Sequence, residues 1–369
     1  MRSEWICRAA AGLAVAAILA TGMQITSVAQ AAKQAAKTMP SGKLRIYFMD
    51  VEGGQSTLFV SPAGASLLID TGWADHDGRD ADRIVAAAHR AGLKRIDAVL
   101  ITHFHDDHVG GVPQLLARIP VGEFLDHGPY REQTKDVAGN YAAYLNALAQ
   151  YHVKRVVMKP GEKLPVPGFD STALYATAVT ADWKVIDHPL PGAGQPNPYC
   201  ANLPKYPHDE TENSRSLGSV IQFGKARIVD LGDLTSDKEV ELMCPVNKLG
   251  TAQILVVSHH GWYPSSSPAL VYALHPRVAI MDNGALKGGS PATLKTLKRS
   301  PGIENWWQLH YSVESAALNP PDAYIANLDR AKDPQAKDAG YGIDLVVSRD
   351  GSFSVTNDRT GFTKQYAAH

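Results

Sequence analysis

Thr102–Gly111 reads T-H-F-H-D-D-H-V-G-G and places His103, His105, Asp106, Asp107 and His108 within six consecutive positions. Neutral imidazole and carboxylate are the donors that zinc and its neighbours take. In an extended stretch His103 and His105 project to one side, so both reach one cation. Asp107 and His108 then turn toward a second position close by. A polar loop that only caps the next helix does not need five ligand-type residues in six positions. The elements that hold this cluster are also legible. The apolar run Ile96–Thr102 reads as a buried strand, and Gly110-Gly111 with the apolar-periodic stretch to Ile119 reads as a helix start. The cluster therefore lies at the carboxyl end of a strand, in a loop fixed by rigid elements on both sides.

Other ligand-type residues share that placement. Asp70 closes the run L-L-I-D-T-G, Asp233 follows Arg227–Leu231 in L-G-D-L-T, and His259 and His260 follow Ile254–Val257 in S-H-H-G. Asp126 and His127 also end a strand-like run. A scatter of unrelated histidines would not keep to strand ends, so these groups are expected to share one site.

Together with D-V-E-G-G-Q and N-S-R-S-L, these motifs resemble the metallo-β-lactamase fold superfamily from about residue 43 to about residue 285. Within it they resemble the branch of DNA-uptake competence-protein hydrolase domains and phosphorylcholine esterases. The resemblance implies an α/β fold, a four-layer αββα sandwich with a one- or two-metal hydrolytic site along one edge. It implies His103, His105, Asp107, His108, Asp233 and His260 as metal ligands, with Asp233 bridging two ions. Asp70 would support the metal loop by hydrogen bonds without binding metal. The cofactor implied is Zn2+, one or two ions, with Mn2+ or Fe as alternatives. In the doublet His260 is the preferred ligand, which leaves His259 to contact substrate or donate a proton. One departure stands out. The histidine that β-lactamases and glyoxalases supply to the first metal has no counterpart in E-N-S-R-S, so Glu212, Asn213, Ser214 or His127 must fill that role or leave it open.

The function expected is that of an exported metal-dependent hydrolase acting on a phosphodiester or phosphate ester through a metal-bound hydroxide. Asp107, Asp233 and His259 are the expected catalytic groups, and Asn213 and Arg215 the expected substrate contacts. The alternatives are hydrolysis of a lactone, thioester or β-lactam, and a non-catalytic binding module on the same fold. The expected partner is a small-molecule or cell-envelope substrate. The formal net charge of −1, from 36 basic and 37 acidic residues, offers no electrostatic track for nucleic acid, which is the less favoured partner.

The 369 residues, 44% hydrophobic and 20% charged, suit one large domain or two small ones with a sizeable core. Residues 1–31 read as a secretory signal peptide: Arg2 and Arg8, the apolar run Ala9–Ala20, and Ala29-Gln30-Ala31 as a cleavage site. That run is too short and alanine-rich for a membrane span, so none is expected once the signal is removed. A periplasmic or secreted location follows. Residues 32–42 read as a flexible leader, 43–369 as the hydrolase domain, and 187–209 as a surface insertion dense in Pro, Gly and Asn. Cys200 and Cys244 remain after Cys7 leaves with the signal, and an oxidising compartment predicts that they pair. Ala173–Ile186 reads as a strand, Tyr141–Tyr151 as a helix, and Trp262, Tyr263, Trp306 and Trp307 as core, rim or cleft wall. His310 falls in no motif.

Overall fold

The computed structural model describes residues 42–74, 76–328 and 339–368. The expected signal peptide and all of the leader except Gly42 lie outside the described residues.

Two large sheets dominate. Across the first run, in order, Thr363–Tyr366, Phe353–Asn357, Ile343–Val347, Leu44–Phe48, Thr57–Val60, Ser66–Ile69, Ile96–Leu100, Val121–Asp126 and Lys154–Val157. Across the second run Ile325–Asn327, Asn305–His310, Val278–Met281, Ile254–Val256, Ala226–Asp230, Ser219–Phe223 and Leu174–Ala178. Both mix hairpin-linked antiparallel pairs with parallel pairs: Ser66–Ile69 runs parallel to Ile96–Leu100, and Ala226–Asp230 parallel to Ile254–Val256.

The strands carrying the site are apolar on both faces because both faces are covered. Leu67, Ile69, Ala98 and Leu100 join Ile221, Ile228, Ile254, Val256 and Trp307 in the core between the sheets. Leu68 and Val99, one position out of phase, pack instead with Ile84, Ala88, Leu115, Tyr144 and Leu148 of the helices Arg79–Arg90, Val112–Leu116 and Lys135–Gln150. On the far side Val229, Leu255, Ala279 and Met281 pack with Leu242, Leu270, Leu274, Leu294 and Leu297 of Ser236–Met243, Pro268–Leu274 and Pro291–Arg299. Three apolar interfaces between four layers make the αββα sandwich.

Several expectations change. Ala173–Ile186 is not one strand: Leu174–Ala178 stops, and Thr180–Ala181 turns back on Lys184–Val185 through Asp182 and Trp183, both with positive φ. The helix at Tyr141–Tyr151 begins a turn and a half earlier, at Lys135, because Thr134 caps it by accepting from Val137 N. Asn305–His310 is a strand, with Trp307 fully buried in the core, whereas Trp262 and Tyr263 are exposed. Cys200 and Cys244 are bonded, as expected, which pins the 187–209 segment to the end of helix Ser236–Met243. No helix among the described residues is long and apolar enough to cross a membrane.

Candidate metal centre

The loop after Ile96–Leu100 is organised by Asp70, which takes a left-handed conformation (φ 59°) at the end of the neighbouring parallel strand. Its Oδ1 accepts from Thr102 N at 2.8 Å. Its Oδ2 accepts from Thr102 Oγ1 at 2.7 Å and lies 2.7 Å from His108 Nδ1. Both carboxylate oxygens of this fully buried group are spent on holding the loop and one imidazole.

His259 and His260 sit in a tight turn, Ser258–Gly261, with φ of 56° and 54°. Two successive non-glycine residues in that region cost about 1–2 kcal/mol each, so the surroundings must enforce the turn. His259 N donates to Gly232 O at 3.0 Å, and Gly289 N donates to His260 O at 2.9 Å. Gly288 makes the second contact possible: a Cβ there would lie 2.1 Å from His260 O.

These elements bring Asp107, His108, Asp233 and His260 together, with one ligand atom from each lying within 4.8 Å of all the others. The imidazole tautomers follow from their outer partners. His108 Nδ1 faces the Asp70 carboxylate, and His260 Nδ1 faces the Asp282 backbone carbonyl at 3.1 Å. Both partners only accept, so each Nδ1 carries the proton and each neutral ring presents its Nε2 lone pair inward. Those two lone pairs lie 3.2 Å apart, with Asp107 Oδ2 at 3.0 Å from His260 Nε2 and 3.3 Å from His108 Nε2. Asp233 Oδ1, buried and with no hydrogen-bond partner among the described residues, lies 3.3 Å from His108 Nε2. Facing lone pairs and carboxylates repel unless a cation lies among them. The charge balance says the same. Burial disfavours a second proton on His108, yet Asp233, Asp107 and Asp70 outweigh it and hold its pKa well above the usual value, so without a cation a proton takes that place. Burial likewise pushes Asp107 and Asp233 up, but the neighbouring positive groups, His108 first, hold both well below the carboxylate range. The donor set and its geometry fit a divalent cation.

A second pair has the same form. Thr102 donates its hydroxyl to Asp70, so it accepts from His103 Nδ1 at 3.0 Å. His105 Nε2 lies 3.0 Å from Glu132 Oε2. His103 Nε2 and His105 Nδ1 are then left facing each other at 3.0 Å. Asp233 Oδ2 is the next donor, 4.0 Å from His103 Nε2. The other residues considered for this position are engaged elsewhere. His127 Nε2 is 3.0 Å from Glu212 Oε2, Glu212 Oε1 accepts from Arg131 N, and Ser214 Oγ accepts from Trp183 Nε1. Asn213 Nδ2 instead lies 3.4 Å from His259 Nε2, which is itself 3.5 Å from Asp233 Oδ2. Arg215 is set apart from this group: Nη1 donates to Asp182 Oδ1 at 2.6 Å, and the guanidinium lies 3.6 Å from the centre of the Trp183 ring.

The sequence reading missed three contributors. Glu132 orients His105 from just before a helix cap, where no motif marks it. The Asp282 carbonyl and Lys287, whose ammonium pairs with Asp107, come from the loop after Val278–Met281. That loop begins at the carboxyl end of a strand, the one signal that singles it out.

Residues 49–200 match the profile of the Metallo-beta-lactamase superfamily. The chain carries a metallo-β-lactamase superfamily domain. It is 24% identical over 250 residues to Competence protein ComA of Neisseria gonorrhoeae, covering 67% of this chain and 28% of the relative. It is 43% identical over 63 residues to a hydroxyacylglutathione hydrolase of Stenotrophomonas maltophilia, covering 17% of this chain and 21% of the relative. Among solved structures, the metallo-β-lactamase fold protein YhfI of Bacillus subtilis superposes with a TM-score of 0.43 at 13% identity, over 72% of this chain and 96% of that one. The matches to the first curated relatives span between 20% and 28% of their lengths.

Proposed function

We propose that this superfamily member is an exported metal-dependent hydrolase of phosphodiesters or phosphate esters. The observation that carries the reading is the pair of inward Nε2 lone pairs of His108 and His260, 3.2 Å apart between Asp107 and Asp233. A divalent cation bound there, zinc first among the choices, would lower the pKa of a water and polarise a phosphoryl oxygen. The protein's own groups divide the remaining work. Asp70 and the Asp282 carbonyl fix the two rings in the tautomer that presents Nε2. Asp107 and Asp233 supply the negative charge that retains a cation, and Asp233 faces both histidine pairs. His259 has Nδ1 3.2 Å from Ser265 Oγ and Nε2 beside Asp233, so Nε2 is the atom at which a proton is taken up and returned. Asn213 aims its amide at the same spot, where it would donate to a substrate oxygen.

Export is supported by the amino-terminal pattern of charge, apolar run and small residues, and by the Cys200–Cys244 bond, which persists in an oxidising compartment. The substrate is then a small molecule or a component of the cell envelope. The short 43% match to a protein named for hydrolysing hydroxyacylglutathione favours a second reading, thioester hydrolysis at the same centre.

The test is a panel on zinc- and manganese-loaded protein: bis-p-nitrophenyl phosphate, an acylglutathione, a homoserine lactone and nitrocefin. Turnover of the phosphodiester is expected. Turnover of the acylglutathione alone favours the second reading, and turnover of nitrocefin alone contradicts both.

A further inference from the structure

Lys287 lies in Asp282–Ser290, the loop between Val278–Met281 and Pro291–Arg299. Its backbone is clamped. Gly284 N donates to Lys287 O, Gly289 N donates to His260 O, and Asn283 Nδ2 reaches His310 O at 2.8 Å. A Cβ on Gly53 would lie 3.0 Å from Lys287 Cβ, so the lysine stem is also walled in from the β-hairpin side. The lysine is therefore carried by a loop in register with His260, not by a free arm.

From that base the ammonium pairs with Asp107 and lies 4.6 Å from the centre of the Trp73 ring. The side chain is 27% exposed where that of Asp107 is 6%, which puts Lys287 at the mouth of the centre. Asp107 is also in reach of His108 and His260 and belongs to the four-residue group that fits a cation. A carboxylate that serves a cation needs no lysine to neutralise it. Among the described residues the ammonium's one hydrogen-bond partner is that carboxylate, so donors remain for an acceptor arriving from solvent.

We propose that Lys287 is the anion-binding residue of this site: clamped beside His260 and steadied on Trp73, it takes a phosphate oxygen of the substrate at the mouth of the metal centre. This rests on the phosphate-ester reading and assigns the group that selects for charge. A lysine ammonium serves as a compact point charge for phosphate, whereas Arg215 is held by Asp182 and Trp183.

The experiment compares zinc-loaded wild type, Lys287→Ala and Lys287→Arg. Metal content is read by elemental analysis, thermal midpoint by scanning fluorimetry, and binding of inorganic phosphate by tryptophan fluorescence, with Trp73→Phe identifying the reporter. Lys287→Ala is expected to keep its metal and thermal midpoint and to bind phosphate about tenfold or more weakly, the loss of one charge-assisted contact. Lys287→Arg should recover part of that affinity. Unchanged phosphate affinity in Lys287→Ala overturns the proposal, as does loss of metal from that variant, which would make the lysine a structural support. Lys287-dependent phosphate binding without turnover of bis-p-nitrophenyl phosphate upholds the anion site and removes the phosphodiester reading instead.

Discussion

The chemistry of single residues here is set one layer out from the ligands. His108 presents Nε2 only because its Nδ1 keeps a proton and donates it in a hydrogen bond to Asp70, whose two oxygens also hold Thr102. Replacing Asp70 with Asn removes the charge, offers a donor to a donor, and frees the ring to rotate. The Asp70→Asn variant should stay folded and bind zinc about 10–100-fold more weakly, as outer partners of metal-bound histidines do. Competition with a chromophoric chelator measures this, and an unchanged affinity would show that the carboxylate does not set the tautomer. Glu132 stands in the same relation to His105. Its side chain is 18% exposed and comes from outside the four-residue group, so its replacement should affect the His103–His105 pair without disturbing that group.

At the scale of elements, the site is a set of strand ends pulled together by turns of unusual backbone. Gly288 is one of the turns that matter most. At φ 80° and with no space for a Cβ against His260 O, it allows the Lys287 loop to lie on the histidine turn. Gly288→Ala should destabilise the fold by about 1–2 kcal/mol through the left-handed conformation alone. It should also lower zinc affinity, because His260 must shift. A variant that loses stability in a denaturant titration yet binds zinc like wild type would uncouple the loop from the centre. The sequence made much of this level legible. The alternation of Leu67, Leu68 and Ile69 between two cores, and the runs ending at Asp70, Thr102, Asp233 and His259, are periodicity and turn chemistry written locally. What it did not disclose depends on long-range packing. The break at Asp182-Trp183 is stabilised by Arg215, thirty-odd positions away, and no local signal requires it. Asn305–His310 carries Asn, Gln and His where a strand pattern expects β-branched or aromatic residues, and it is a strand because Trp307 fills the space between the sheets. The partners of His127 and Glu212 are each other, which neither sequence context indicates.

At the scale of the whole molecule, the fold buries Glu239 fully and Asp344 in part, both away from the metal centre, and these acids give stability a pH dependence. Burial pushes Glu239 from 4.5 up to about 7, against hydrogen bonds from Ser267 N and Ser266 N. Burial also pushes Asp344 from 3.8 up to about 7, against the pull of Arg90. Both pKa values rise on folding, so the folded protein binds more protons than the unfolded chain between those limits. Their contribution is full below about pH 4 and is lost as pH rises through about 7. The denaturant midpoint of metal-free protein should fall from pH 5 to pH 8, by an amount on the order of a few kcal/mol in stability. Glu239→Gln should be less stable but flatter over that range, and an equally steep slope would remove Glu239 as a cause. The same architecture explains why a centre so rich in histidine and carboxylate survives burial: its charges are arranged to cancel around one position. That position is tested most directly by a crystal of zinc-loaded protein measured on both sides of the zinc absorption edge. The account predicts an anomalous peak about 2 Å from Nε2 of His108, Nε2 of His260 and the nearer oxygens of Asp107 and Asp233. An ordered, folded molecule with no anomalous density among those four side chains would contradict it.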